Sequence, residues 1–358
     1  MKKKLPHFII TRFGIGINSL SWYENSVRYF KYITLPSIEN QTDKNFFWLI
    51  VVDQNIPQKI LVDLRKMISI HDNFHIVSIN LMNCTNLKQG GFEHLWNICK
   101  NYLYKKLIIC DPLQYVITSL LDADDAWNEK NIAIVNTRMA SEYQNFLGQE
   151  KIAGSLICNS GGAIITFPKG LTWYPEVNVV ESTIYPNHSM STFVCTRISS
   201  GISAASCRHK RWPSYANVVN FSCIEIETEE PMWVYTRHTG TEISWSLPKE
   251  NHGTGERTYF SKKFNINFAD LNREMIISEE YLQKAKVAHS GISVAKHQNI
   301  LFQIAALNDQ IIALESATRE SESHATQRLL NQQIQTRNQL IYEFRLNADN
   351  LFKHDRYA

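Results

Sequence analysis

The apolar positions change period along the chain, and the changes mark out its elements. HFIITRF (7–13), FFWLIVVD (46–53), FHIVSI (74–79) and YVITSLL (115–121) are apolar or β-rich runs of strand length. An unbroken run such as FFWLIVVD is the pattern of a strand buried on both faces. Between these runs lie SWYENSVRYFKYITLPSI (21–38), QKILVDLRKMI (58–68) and FEHLWNICKNYL (92–103), with apolar residues at helical spacing. Pro36 predicts the end of the first helix, and Gly90 and Gly91 open the third. The order β-α-β-α-β-α-β predicts an α/β domain with a mainly parallel sheet and helices on its faces.

From about 150 to 245 the pattern shortens. SLICN, GGAIITF, STFVC and MWVYTR are brief strand candidates separated by Gly, Pro and Asn turns, which predicts a mixed or antiparallel extension of the sheet. The polar stretch SLPKENHGTGERT (246–258) marks a boundary. Farther on, Leu301, Ile304, Asn308, Ile311 and Glu315 step by three and four, and Leu330, Ile334, Ile341, Phe344, Ala348 and Leu351 continue a helical pattern. ATRESESHATQ between them is polar enough to turn an antiparallel helical hairpin. The chain therefore divides into a domain at 1–250, a linker and packing segment at 251–277, and a C-terminal helical hairpin at 278–358. The hairpin packs on the domain or pairs with a second copy as a homodimer. Its charges alternate in sign, which does not favour a membrane-surface role.

Composition narrows the class. Among 358 residues, 44% are hydrophobic and 17 are Phe, which describes a packed core. The net charge is +3 and no basic tract follows MKKK, so nothing points to nucleic acid. Seven cysteines are scattered without a C-x-x-C pair, which argues against a zinc ribbon or a disulfide framework. LPHFII is too short for a signal core, and no run approaches the ~20 apolar residues of a membrane span. The plain expectation is a cytoplasmic protein, with peripheral association at the inner membrane face left open.

The densest chemistry is in LLDADDAW, where Asp122, Asp124 and Asp125 come after an apolar strand. The C-terminal edge of a parallel strand is where such sheets bind ligands. Three carboxylates there repel one another unless a cation shares the site, and hard oxygen ligands suit Mg²⁺ or Mn²⁺. Asp122 and Asp124, two apart, face one way in extended geometry. Asp125 faces differently or caps a helix starting near Trp127, and a helix cap alone is the competing explanation of the whole cluster.

With TRFGIG, RYFKYITLPSIENQTDKNFFWLIVVD and PMWVYTRHTG, this stretch resembles the rhamnosyltransferase family of bacterial polysaccharide gene clusters. The resemblance covers roughly residues 7 to 245 and implies a GT-A-type nucleotide-sugar glycosyltransferase. It departs from the family pattern at Leu120, where Arg is frequent, and in His238-Thr239-Gly240-Thr241, where Asn commonly follows the histidine. The resemblance implies a nucleoside-diphosphate-sugar donor, a saccharide or lipid-linked acceptor, and Mn²⁺ or Mg²⁺ held by Asp122, Asp124 and His238. It also implies that Thr11, Arg12, Asp53 and Asp122 contact the nucleotide. Arg237 is a further phosphate candidate. Asp125, Glu176, Glu181, His188 and His209 are candidates for the base that an inverting reaction needs, with Asp125 and Glu181 taken forward. Nucleotidyl or phosphoryl transfer and an inactive binding module are the alternative readings; no G-x-x-x-x-G-K-[ST] loop supports the former. Trp173, Tyr174, Trp212 and Tyr215 are either core residues or platforms for sugar rings.

Overall fold

A computed structural model describes residues 4–15, 17, 20–80, 93–106, 108–109, 111–153, 161–174, 179–185, 191–206, 212–219, 221–238, 257–266, 271 and 327–336. The four expected strands form where the apolar runs lie: β1 (His7–Phe13), β2 (Phe47–Asp53), β3 (Phe74–Ile79) and β4 (Tyr115–Leu120). They lie side by side as β4-β1-β2-β3, all parallel. Because side chains alternate along a strand, the sheet buries two separate cores. Ile9, Phe13, Trp48, Ile50 and Val52 face one core, and Phe8, Ile10, Leu49 and Val51 the other. The helix α3 (Gln58–Ile68) covers the first face with Ile60 and Leu64. The second is covered by α4 (Glu93–Lys105), through Leu95, Trp96, Cys99 and Leu103, and by α6 (Trp212–Val219), through Trp212 and Ala216.

The predicted extension is present. Strand β9 (Thr192–Arg197) runs antiparallel to β4 and to β6 (Ala163–Thr166), and β10 (Ser222–Glu225) closes the seven-stranded sheet. The amino-acid pattern carries no sign of a second sheet, which is built from β5 (Ala126–Trp127), β11 (Trp233–Thr236), β7 (Lys169–Tyr174) and β8 (Val179–Ile184), in that order. The expected helix start near Trp127 is instead β5, whose Ala126 and Trp127 pair with Val234 and Trp233. Helix α5 begins only at Asn131 and runs to Ala153. Trp233 lies flat over Gly170, where an added β-carbon would sit 2.0 Å from the indole. Only glycine lets the two strands and that ring pack together.

The first predicted helix also differs. It runs as α1 (Leu20–Tyr29), a π-helical turn (Phe30–Thr34) and α2 (Leu35–Glu39), so Pro36 does not stop it. Pro36 falls in the first turn after the π-helical segment, where the residue without an N–H is tolerated.

Past the boundary at 246–258, α7 (Arg257–Phe264) leads into Phe264, Ile266 and Leu271, which pack with Tyr29, Ile33, Ala126, Leu171 and Trp173. The hairpin expected at 278–358 lies outside the described residues except for 327–336, which are helical. Among the described residues, no helix is long and apolar enough to cross a membrane.

His7 is fully buried between Asn136 Oδ1 at 2.9 Å and Ser119 Oγ at 3.0 Å. Burial lowers its pKa to about 4 from 6.5. The unfolded chain therefore takes up a proton near pH 6.5 that the folded chain refuses until about pH 4. Stability falls as pH drops through that window, by up to about 3 kcal/mol from this group. His7→Gln, which keeps a neutral donor and acceptor, is expected to remove that share of the acid slope in urea unfolding at pH 7, 5.5 and 4.5. An unchanged slope would refute the assignment.

Candidate active site at the meeting of the two sheets

The acidic residues sit where the first sheet ends and the second begins. The Leu121 amide donates to the Ile10 carbonyl at 3.0 Å, which sets the turn after β4 beside the end of β1. Arg12 is opposite Val51 in register, so it shares a sheet face with Asp53, two residues farther along β2. From that face the Arg12 Nη2 donates to Asp122 Oδ1 at 2.9 Å. About a quarter of the arginine side chain is exposed (26%), with 30% of the aspartate. This pair is accessible to a ligand, and its worth to stability is small.

Asp124 turns to the other sheet. Its Oδ2 lies 3.0 Å from His238 Nε2, just beyond the end of β11. The histidine is 3% exposed while the aspartate side chain is 26% exposed. Asp125 is buried, and its Oδ1 accepts the Thr236 amide N–H at 2.9 Å. Burial, then the nearby carboxylates of Asp124 and Asp122, push its pKa well above the ordinary carboxylate value. Asp125 thus ties the acidic turn to β11, and the three carboxylates have three different partners.

The other expected residues are distributed unevenly. Thr11 is fully buried on the face opposite Arg12, and its hydroxyl accepts the Trp48 indole N–H at 2.8 Å. Strand alternation puts its side chain on the sheet face opposite Arg12, where its hydroxyl braces the core. Asp53 is buried, and its Oδ1 accepts the Asn55 amide at 2.9 Å, which shapes the turn after β2. Glu181 is half-buried on β8, across from Thr172, which in turn lies across from Tyr235. These three therefore occupy one row on one sheet face. Glu176, His188 and His209 lie outside the described residues. Trp173 and Trp212 are core residues.

Two aromatic residues join the site that no motif points to. Tyr29 stacks on His238 with ring centroids 3.9 Å apart and planes 16° apart. Tyr235 carries the Arg237 guanidinium 4.5 Å above its ring. Burial and the carboxylates of Asp125, Asp124 and Asp122 raise the pKa of Tyr235, so its phenol stays protonated beside the acidic turn. Nothing local in the sequence distinguishes either ring from a core aromatic. The only signal for Tyr235 is its closeness to Arg237 and His238.

The donor chemistry fits a hard divalent ion at Asp124 and His238. Two neighbouring ligands at ~2.1 Å in octahedral geometry are about 3 Å apart, as the Asp124 and His238 contact atoms are. Asp122 directs its Oδ1 to Arg12, and among the described residues no three His, Cys, Asp or Glu side chains gather into a ready-made cage. Such a site suits an ion that takes its remaining ligands from substrate and water.

Among solved structures, the chain is similar to TarS 1–349 of S. aureus in complex with UDP-GlcNAc, at 9% identity and a TM-score of 0.33, covering 94% of this chain and 81% of that one. It is also similar to the UDP complex of the same protein, at 10% identity and a TM-score of 0.34, covering 84% and 80%. A putative nucleotide-diphospho-sugar transferase from Desulfovibrio desulfuricans G20 is similar at 7% identity and a TM-score of 0.34, covering 79% and 99%. At this overlap no residue or ligand is carried across. No curated protein matches the sequence. Residues 19–244, more than half of the chain, match the family described as "Putative rhamnosyl transferase", and the chain belongs to that family of glycosyltransferases.

Proposed function

We propose that the protein transfers a sugar from a nucleoside-diphosphate-sugar donor to a hydroxyl of a saccharide or lipid-linked acceptor in bacterial surface polysaccharide synthesis. The observation that carries this reading is the convergence of Arg12–Asp122 and His238–Asp124 at the C-terminal edge of the parallel sheet. Mn²⁺ or Mg²⁺ would be held by Asp124 and His238, with Asp122 as the further ligand once Arg12 turns to the donor. When bound, the ion neutralises charge growing on the leaving diphosphate.

The chain's own residues supply the remainder. Arg12 can give its planar N–H groups to a phosphate, and Asp53 at the neighbouring strand end lies where the nucleoside would rest. The Arg237 guanidinium rests on Tyr235, and its planar N–H groups suit a phosphate. In an inverting transfer Glu181 would remove the acceptor proton as the acceptor oxygen bonds to the anomeric carbon and the diphosphate departs with the bonding electrons. Asp125, buried and held by the Thr236 amide, fits a structural role better than that of a base.

Thermal unfolding of the whole chain with UDP, GDP, ADP, CDP and dTDP, each with and without Mn²⁺, tests this reading. One diphosphate is expected to raise Tm, and more so with Mn²⁺. A ligand at ~100 times its Kd adds about 2.7 kcal/mol to stability by mass action. No shift with any diphosphate would favour a binding module without donor specificity and sink the proposal.

A further inference from the structure

We infer that Tyr29 is a positioning residue for His238, and that the flat face of its ring keeps the imidazole Nε2 directed at Asp124. This rests on the reading of the acidic turn as the donor site. The two rings are nearly parallel, with centroids 3.9 Å apart and planes at 16°, and they are 1% and 3% exposed. A histidine rotates about its Cβ–Cγ bond in a broad, shallow well. The 3.0 Å contact to Asp124 Oδ2 sets the direction of one ring nitrogen. It does not set the plane of the ring, and Tyr29 does so from the other side.

The contact joins residues 209 positions apart in the chain, 238 minus 29. It reaches from the first helix to the end of β11, in a different sheet from β1. The backbone of the helix is arranged for it. Phe30–Thr34 form a π-helical turn directly after Tyr29. A π-helical turn takes one residue more than an α-helical turn and rotates the faces of the next helical segment. Phe30 stacks on Trp48 in the core of the large sheet, with centroids 5.3 Å apart. Tyr29 and Ile33 enter the separate core built on Leu171, Trp173 and Val234. The helix thus supplies two cores at once, and Tyr29 reaches the histidine from the second.

Arg237, the preceding residue, is also seated on an aromatic ring, but that ring is Tyr235 of its own strand. Tyr235 moves with β11 and cannot fix the strand end relative to the acidic turn. Tyr29 can, because it stands on another element. The observed contact is through the ring face, so phenylalanine should substitute and an aliphatic side chain should not.

Proton NMR of the wild-type chain is the first test. The His238 ring protons, identified by their loss in His238→Gln, are expected to be shifted upfield by the ring current of Tyr29. An unshifted signal overturns the inference without any variant of Tyr29. Tyr29→Phe should keep the shift and Tyr29→Leu should lose it. Mn²⁺ titrated alone and monitored by EPR should bind Tyr29→Phe like the wild type and Tyr29→Leu about tenfold more weakly, the lower end of what is lost with a group that orients a metal ligand. Tyr29→Leu with wild-type shifts and Mn²⁺ affinity, or Tyr29→Phe behaving as Tyr29→Leu, would each overturn it. If Tyr29→Leu does not fold, the wild-type and Tyr29→Phe spectra still decide. If wild-type protein binds no Mn²⁺, the metal reading fails and the ring-current measurement still tests the positioning role.

Discussion

Asp124→Asn is expected to lower sugar transfer by about 10²- to 10³-fold, the scale of removing one preorganised electrostatic contact from a transition state. The change keeps the shape of the side chain and its hydrogen-bonding reach to His238, now 3.0 Å away. It removes the negative charge that would draw a divalent ion to the site. Asp124 is a quarter exposed and asparagine keeps a polar partner for the buried His238, so the unfolding transition should stay close to that of the wild type. The measurement is donor hydrolysis and transfer with Mn²⁺, alongside the unfolding curve. Undiminished turnover in a folded Asp124→Asn protein would remove the centre of the proposed mechanism.

Glu181→Gln is the second large effect. A positioned base contributes roughly 10²- to 10⁴-fold, and transfer to the acceptor should fall within that range. Glu181 shares its sheet face with Thr172 and Tyr235, the ring whose pKa feels all three carboxylates of the acidic turn. The row therefore leads across the second sheet from the acidic turn toward its edge strand, where the proposed acceptor would approach. Gln fills the same volume and cannot accept a proton, so diphosphate binding should remain while transfer is lost. Transfer at wild-type rate would place the base elsewhere or show that the reaction needs none.

The two substitutions separate the parts of the site that could be anticipated from those that could not. Asp122 and Asp124 stand out because three carboxylates at a buried strand end need an explanation on elementary electrostatics. Arg12 stands out because a charged residue ends an apolar run. Their pairing, Arg12 with Asp122 and Asp124 with His238, depends on the register of β1 against β4 and on β5 meeting β11. Thr11 shows the limit of neighbour reasoning. It adjoins Arg12 in sequence, yet strand alternation buries it on the opposite face under Trp48. Asp125 shows the same limit. The motif groups it with its neighbours, and the structure ties it to the backbone of a strand more than a hundred residues away.

The sequence alone determined the four parallel strands, the helices on their faces and the edge at which the acidic turn emerges. These stem from local periodicity: an apolar run of strand length has few other places to go. The tertiary structure alone decided that the later strands divide between two sheets, that Asp125 braces β11, and that Tyr29 lies against His238. Short strands with ambiguous partners choose their sheet by which surfaces they can bury. An aromatic ring likewise has the same local pattern whether it fills a core or holds a histidine in place, and only the packing of distant segments distinguishes the two.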